Sequence, residues 1–376
     1  MSNNRLNTPP KAMSEAINAV NTTKPQRYDF IDLYRGFIMM VIVWNHTIDF
    51  KVTIWWSMLN SAVIPGFFFI SALMYKDCTP REFVLRMFNR IIVPFFLFEG
   101  LYLGLHIVTD PDMTFYKLKC QMFAWIYHGK IMNYPLWYVR SLFAVFVLHY
   151  LAELLERRLG MAGKVIVGIA AMALAYFVWT HIDEYRHYCD HSDLAIAYFI
   201  MAVPATVLLF PVFHYVAKCR KLLLRSYDWR LMASVMMVSA VACYIVSPRH
   251  YLWFHYTMFL HCSFVQFYAS IITAVATLYC LAQLVRRLPY LNYVGRNTMV
   301  VLGFHMLIVM LMGRLLGITD HVVQFVVLAV MMPPLIWLCV NKMPVFTGHF
   351  DYLRIADGKI AFWWMKKGKK PSKVEN

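Results

Sequence analysis

Residues 32–49 read DLYRGFIMMVIVWNHTID, and this stretch decides what kind of chain it belongs to. Ten residues, most of them apolar, separate Arg35 from His46. Eleven helical steps of about 100° return to within about 20° of the starting face, and a rise of about 1.5 Å per residue puts the two groups roughly 16 Å apart. A fixed cation and a titratable imidazole therefore share one face of one apolar helix. Ionisable groups inside a bilayer are costly, so a same-face pair reads as a functional site.

The rest of the chain agrees with a membrane setting. Of 376 residues, 60% are hydrophobic and 15% charged, where a soluble domain carries about a quarter charged. Mean hydropathy is +0.53. Apolar runs predict helices at about 31–50, 57–75, 90–108, 135–153, 164–181, 194–216, 231–247, 261–284, 297–315 and 321–341. The expected fold is an all-α membrane protein, a bundle of about ten transmembrane helices. Arginines and lysines gather in alternate connectors, at 76–90, 157–164, 218–230, 286–296 and beyond 342. Positive-inside bias then puts both termini in the cytosol. The same topology accounts for the net charge of +16, so no nucleic-acid partner is expected.

Residues 1–26 are polar and lack the apolar core of a signal peptide, so a disordered cytosolic tail is expected there. A transmembrane domain should span 27–345 and a basic cytosolic tail 346–376, the latter drawn to anionic inner-leaflet lipids. Cys120 and Cys189 both fall in expected outer connectors. No zinc spacing, phosphate loop, GxSxG or dinucleotide fingerprint is present, so no metal is expected.

Several residues carry chemistry beyond bundle packing. Asp32 and Arg35 are three apart and can pair, or Arg35 can hold an anionic group at the inner mouth. His46 fits a general base that removes a proton from an acceptor hydroxyl. Asp49, three residues on, would orient its imidazole. Arg86 and Arg90 share a face and suit a phosphate-rich ligand from the cytosol. Arg140, His305 and Glu99 each need a partner or water at membrane depth. His106, His149 and His214 read as satisfied bundle residues, and Ser71 as a helix–helix contact.

Five stretches together resemble the integral-membrane acyltransferase 3 family over roughly residues 27–341. FIDLYRGFIMMVIVWNH resembles the first-helix signature, an Arg and a His ten residues apart, at Arg35 and His46. PGFFFISALMY is similar to the second-helix motif, with Phe68 and Ser71 in place and Ala72 where glycine is usual. FVLRMFNRIIVP resembles the arginine-rich third-helix motif, placing Arg86, Arg90 and Pro94. PLWYV resembles the aromatic start of a later helix, and GRNTMVVLGFH the closing motif, with its histidine at His305.

The resemblance implies an inner-membrane enzyme that takes an acyl group from cytosolic acyl-CoA and places it on an envelope glycan. Acetyl-CoA is the first expectation for the donor and succinyl-CoA the second. Arg35, Arg86 and Arg90 would hold the donor's phosphates. His46, Asp49, Arg140 and His305 would serve the chemistry, Arg140 as a fixed donor to the oxyanion. Direct transfer and a covalent acyl-histidine both remain open. One continuous tunnel should join the arginine and the imidazole. The alternative from another class is a glycan or lipid transporter or flippase, which paired broken helices would favour; none is visible.

Overall fold

The computed structural model describes residues 28–47, 53–110, 112–127, 133–184, 202–248, 252–253, 259–260, 262–356 and 359–362. Asp49, Cys189, the segment 1–26 and the lysine cluster beyond 362 lie outside them. The chain is nearly all-α. Helices α1 (Asp29–Thr47) and α2 (Ile54–Leu73) lead to α3 (Pro80–Met87), a π-helical turn (Phe88–Ile92) and α4 (Val93–Thr109). After α5 (Phe115–Tyr127) come α6 (Trp137–Thr180), α7 (Val203–Leu223) and α8 (Trp229–Val246). Then follow α9 (Phe264–Val285), α10 (Pro289–Arg296), α11 (Thr298–Leu316) and α12 (His321–Lys342).

Local chemistry sets these boundaries. The Thr53 hydroxyl caps α2 by accepting from the Trp56 N–H. Thr79 and Glu82 form a reciprocal capping box at α3, with Pro80 in its first turn. Asp320 caps α12, and Gly317 ends α11 in the left-handed region.

Helix α6 spans 44 residues, about 66 Å at the usual rise and twice a hydrocarbon core. It is two arms. Gly160 has φ 60° and ψ −127°, outside the helical region. A Cβ on Gly163 would stand 2.9 Å from the Glu156 Cα, seven residues back, so the chain reverses here. Glycine makes the reversal possible.

Among the described residues, seven helices are long and apolar enough to cross a membrane. The double helix α6 counts once among them. Helices α1 and α7 fall short because of their polar content: Asp29, Asp32, Arg35, Asn45 and His46 in the first, Lys218, Arg220 and Lys221 in the second. The chain is a multi-pass membrane protein, and the helix bearing the Arg–His pair is among its least apolar.

That helix survives as a helix because protein surrounds it. Helix α1 packs against α2, α9, α10, α11 and α12. It meets α10 backbone to backbone, since a Cβ on Gly36 would overlap the Leu291 carbonyl and one on Gly295 the Asp32 carbonyl. Arg296 of α10 clamps the start of α1, donating to Asp32 and Asp29 at 3.2 Å each. Tyr34 fills the space that Gly66 leaves on α2.

Two buried histidines tie α6 to α7. His149 and His214 share a 3.1 Å Nδ1–Nδ1 hydrogen bond, and His214 Nε2 pairs with Glu156 at 2.9 Å. Lys218 bridges Glu153 and Glu156. His214 is satisfied as expected, whereas His149 keeps its Nε2 buried without a hydrogen-bond partner. His106 departs from that reading, because its Nδ1 is buried without a hydrogen-bond partner.

The stretch expected to be a free basic tail begins as a folded piece. Strands β1 (Leu353–Ala356) and β2 (Lys359–Phe362) pair antiparallel. Asn89 in the π turn exchanges two hydrogen bonds with the Leu353 backbone, at 2.7 and 2.9 Å. The side-chain amide thus mimics a neighbouring strand and docks the hairpin beside the arginine-rich third helix.

Candidate active site

Arg35, Met39, Ile42 and His46 follow each other at steps of four, three and four, so they form one stripe on α1. The stripe faces protein along its length. Arg35 lines a cavity near the N-terminal end of α1, the inner one on the expected topology, while Met39, Ile42 and His46 line a second one farther along.

The inner cavity holds about 510 Å³. Arg35 from α1, Lys76 after α2, and Arg86 and Arg90 from α3 and the π turn converge on it. No carboxylate lines it among the described residues. Arg86 donates to the Lys76 carbonyl at 3.0 Å, and Arg90 hydrogen-bonds His349 Nδ1 at 2.8 Å. Phe83, Leu142 and Phe146 supply the apolar wall. Such a chamber suits an anionic ligand with an apolar arm, since guanidinium groups pair with phosphate oxygens through two donors at once.

The outer cavity is small, about 60 Å³, room for about two waters. His46, Asn45 and Asn60 give it a polar side. Pro135, Trp137 and Tyr138, all from PLWYV, wall it with Phe67. Asn45 donates to Asn60 at 3.1 Å, and its own Oδ1 is buried without a partner.

His305 comes from α11 to stand 5.2 Å, ring centre to ring centre, from His46. It is fully buried. Its Nδ1 lies 2.9 Å from the Val301 carbonyl, which can only accept, so Nδ1 carries the proton. Nε2 is then left as an acceptor, and it is buried with no hydrogen-bond partner. A second unfilled acceptor thus sits beside His46. Buried orphans of this kind are rare in folded proteins and call for a ligand or water.

The two linings come closest in polar contact at Tyr138 and Ser71. Tyr138 lines the outer cavity, and its hydroxyl is directed toward Ser71, which lines the inner one. Its ring packs on Phe67 and Phe68 at 5.4 and 5.3 Å. The expected single tunnel is therefore two cavities with no lining residue in common.

Of the expected site residues, Arg35, Arg86 and Arg90 meet in one chamber; His46 lines the other, and His305 stands beside His46 outside that lining. Arg140 joins neither wall. Its guanidinium lies 5.4 Å from the Phe95 ring centre, within electrostatic reach of Glu99. Glu99 accepts the Asn133 N–H at 3.1 Å, and Asn133 donates to the Gly303 carbonyl at 2.8 Å. That chain joins α4, the Pro135 turn and the helix of His305, so Arg140 stands behind the site. Asp49 lies outside the described residues.

Sequence reasoning missed Asn45, Asn60, Lys76, Trp137 and Tyr138 as site residues. Asn45 adjoins His46, and Asn60 is an amide in an otherwise apolar run, so both carried a signal. Tyr138 and Trp137 stand in a quoted motif, but nothing in one-dimensional spacing says which aromatic meets which cavity.

A family model described as an acyltransferase domain matches residues 28–341, a span containing both cavities and every expected site residue. No curated protein and no solved structure matches the chain.

Proposed function

The chain belongs to the acyltransferase 3 family, a membrane acyltransferase, and from that premise we propose that it moves an acyl group from cytosolic acyl-CoA to a hydroxyl of an extracytoplasmic glycan. Acetyl is the first choice of acyl group and succinyl the second. The plasma membrane, the inner one in a two-membrane cell, is the proposed location.

Arg35, Arg86 and Arg90, joined by Lys76, hold the donor's phosphates. The thioester arm extends along the α1 stripe toward His46. His46 accepts the proton of the acceptor hydroxyl. The oxygen attacks the thioester carbon, the C–S bond breaks, and the imidazolium returns the proton to the departing sulfur. His305 Nε2 and Asn45 Oδ1 accept from neighbouring hydroxyls of the sugar, and Trp137 offers a face to its ring. Arg140 and Glu99 position the Asn133–Tyr138 wall rather than touch the oxyanion. Asp49 keeps its proposed role in orienting His46.

One observation carries this reading. One stripe of α1 carries Arg35 into a cluster of four cations, lined by no carboxylate among the described residues, and His46 into a second cavity beside His305. The test is transfer of label from acetyl-CoA to candidate glycans by purified protein in detergent. His46→Ala should lower turnover by about 10²–10⁴-fold. Undiminished transfer by that variant would remove the catalytic assignment. Glycan movement across vesicles without CoA release would point to a transporter instead.

A further inference from the structure

A third cavity, of about 350 Å³, lies at the foot of α1, among the end of α9 and the loop joining α7 to α8. It shares no lining residue with the arginine chamber. Its polar side groups are two arginines, three hydroxyls, one amide and one carboxylate. Arg225 and Arg286 line it, and neither forms an ion pair among the described residues. Ser226 adds a hydroxyl. The Gln283 Nε2 is buried and has no hydrogen-bond partner.

The one carboxylate on its wall, Asp29, is held by Arg296 at 3.2 Å and so is not left to neutralise the two guanidinium groups. Arg286 also has φ 63°, the only positive φ of a non-glycine among the described residues. Strained backbone of this sort is retained where the conformation aims a side chain usefully. Exposed Trp229 and buried Met232 complete the rim and floor with apolar surface.

We propose that this cavity is a binding site for a phosphate-bearing ligand, separate from the acyl-donor chamber. Two guanidinium groups, a hydroxyl and an orphan amide N–H match the acceptor-only surface of a phosphate ester. The ligand is either the headgroup of an anionic inner-leaflet phospholipid, which Trp229 and Met232 would also contact, or a soluble phosphate. The site adjoins Tyr28, Asp29 and Phe30, the first turn of the helix that carries Arg35 and His46. It does not depend on the acyl-transfer reading.

The test uses the full chain in zwitterionic micelles. Binding isotherms are taken with short-chain phosphatidylglycerol, with phosphatidylcholine and with inorganic phosphate. Arg225→Gln/Arg286→Gln is compared with Arg230→Gln/Arg287→Gln, which removes equal charge from the neighbouring surface but not from the cavity wall. The first pair should weaken saturable binding by about tenfold or more, and the second by about twofold at most. Binding of phosphatidylglycerol but not phosphate assigns the site to lipid; binding of phosphate assigns it to a soluble ester. Absence of saturable binding by both probes, or equal loss in both variant pairs, would overturn the proposal. So would a tenfold loss of acetyl-CoA affinity in the first pair, because the cavity would then belong to the donor chamber.

Discussion

Tyr138→Phe removes a single hydroxyl from the contact between the two linings. The ring stays, with its contacts to Phe67 and Phe68 at 5.4 and 5.3 Å, so the packing survives. What goes is the hydroxyl's polar interaction with Ser71. An intramolecular hydrogen bond contributes a net of about 1 kcal/mol. If that interaction holds the two cavities apart, its loss raises the open population about fivefold. Water then reaches the thioester from the histidine side. Release of CoA from acetyl-CoA without an acceptor should rise about fivefold, read continuously with a thiol reagent. Ser71→Ala should do the same, and the double variant should do no more than either, since both delete one interaction. Additive effects would show that the two hydroxyls do not act as one latch. A loss of transfer as deep as that of His46→Ala would show instead that the Tyr138 hydroxyl takes part in the chemistry.

Arg86→Gln and Arg90→Gln should each raise KM for acyl-CoA roughly ten- to a hundredfold with little change in kcat, because a charge-assisted hydrogen bond is worth about 1.5–3 kcal/mol; steady-state kinetics checks this. Gly36→Ala puts a methyl on the Leu291 carbonyl and should cost about 1–3 kcal/mol or more. Gly100→Ala, with nothing within 4 Å of the added carbon, should leave the melting temperature unchanged or raised. Arg220 beside Asp77, at 2.8 Å, holds that carboxyl below the usual carboxylate range. The folded state therefore binds the proton less readily than the unfolded one. The pair's contribution is present above the ordinary value of about 3.9 and is lost as pH falls through the folded value. Asp77 is more than half exposed, so Asp77→Asn should cost below about 1 kcal/mol at pH 7, a cost that shrinks in thermal melts as pH falls below the ordinary carboxylate value.

How much of this was legible in the chain depends on distance along it. The Arg35–His46 stripe was readable because both residues ride one helix and the period of a helix is fixed. The meeting of Arg35 with Arg86 and Arg90 was foreseen from a shared inner level, and the inner cavity gathers all three. His305 was singled out as a buried imidazole, but its partner was not, since α1 and α11 are separated by more than 250 residues of sequence. Arg140 was read as an oxyanion donor because it is an arginine in an apolar helix. Its place beside Phe95 and Glu99 depends on how α4 and α6 face each other, which periodicity does not encode. The expected helices at 135–153 and 164–181 form one element bent at Gly160, and the polar residues of α1 keep it below the apolarity of the seven spanning helices.

The claim that one chain hands an acyl group from an arginine chamber to a histidine chamber across the membrane is tested most directly in sealed proteoliposomes. Labelled acetyl-CoA is supplied on the side of Arg35, with the acceptor glycan enclosed on the side of His46. The account expects labelled glycan and released CoA to appear on opposite sides in equal amounts, and neither product with His46→Ala. Transfer that proceeds only when donor and acceptor share one side would contradict it.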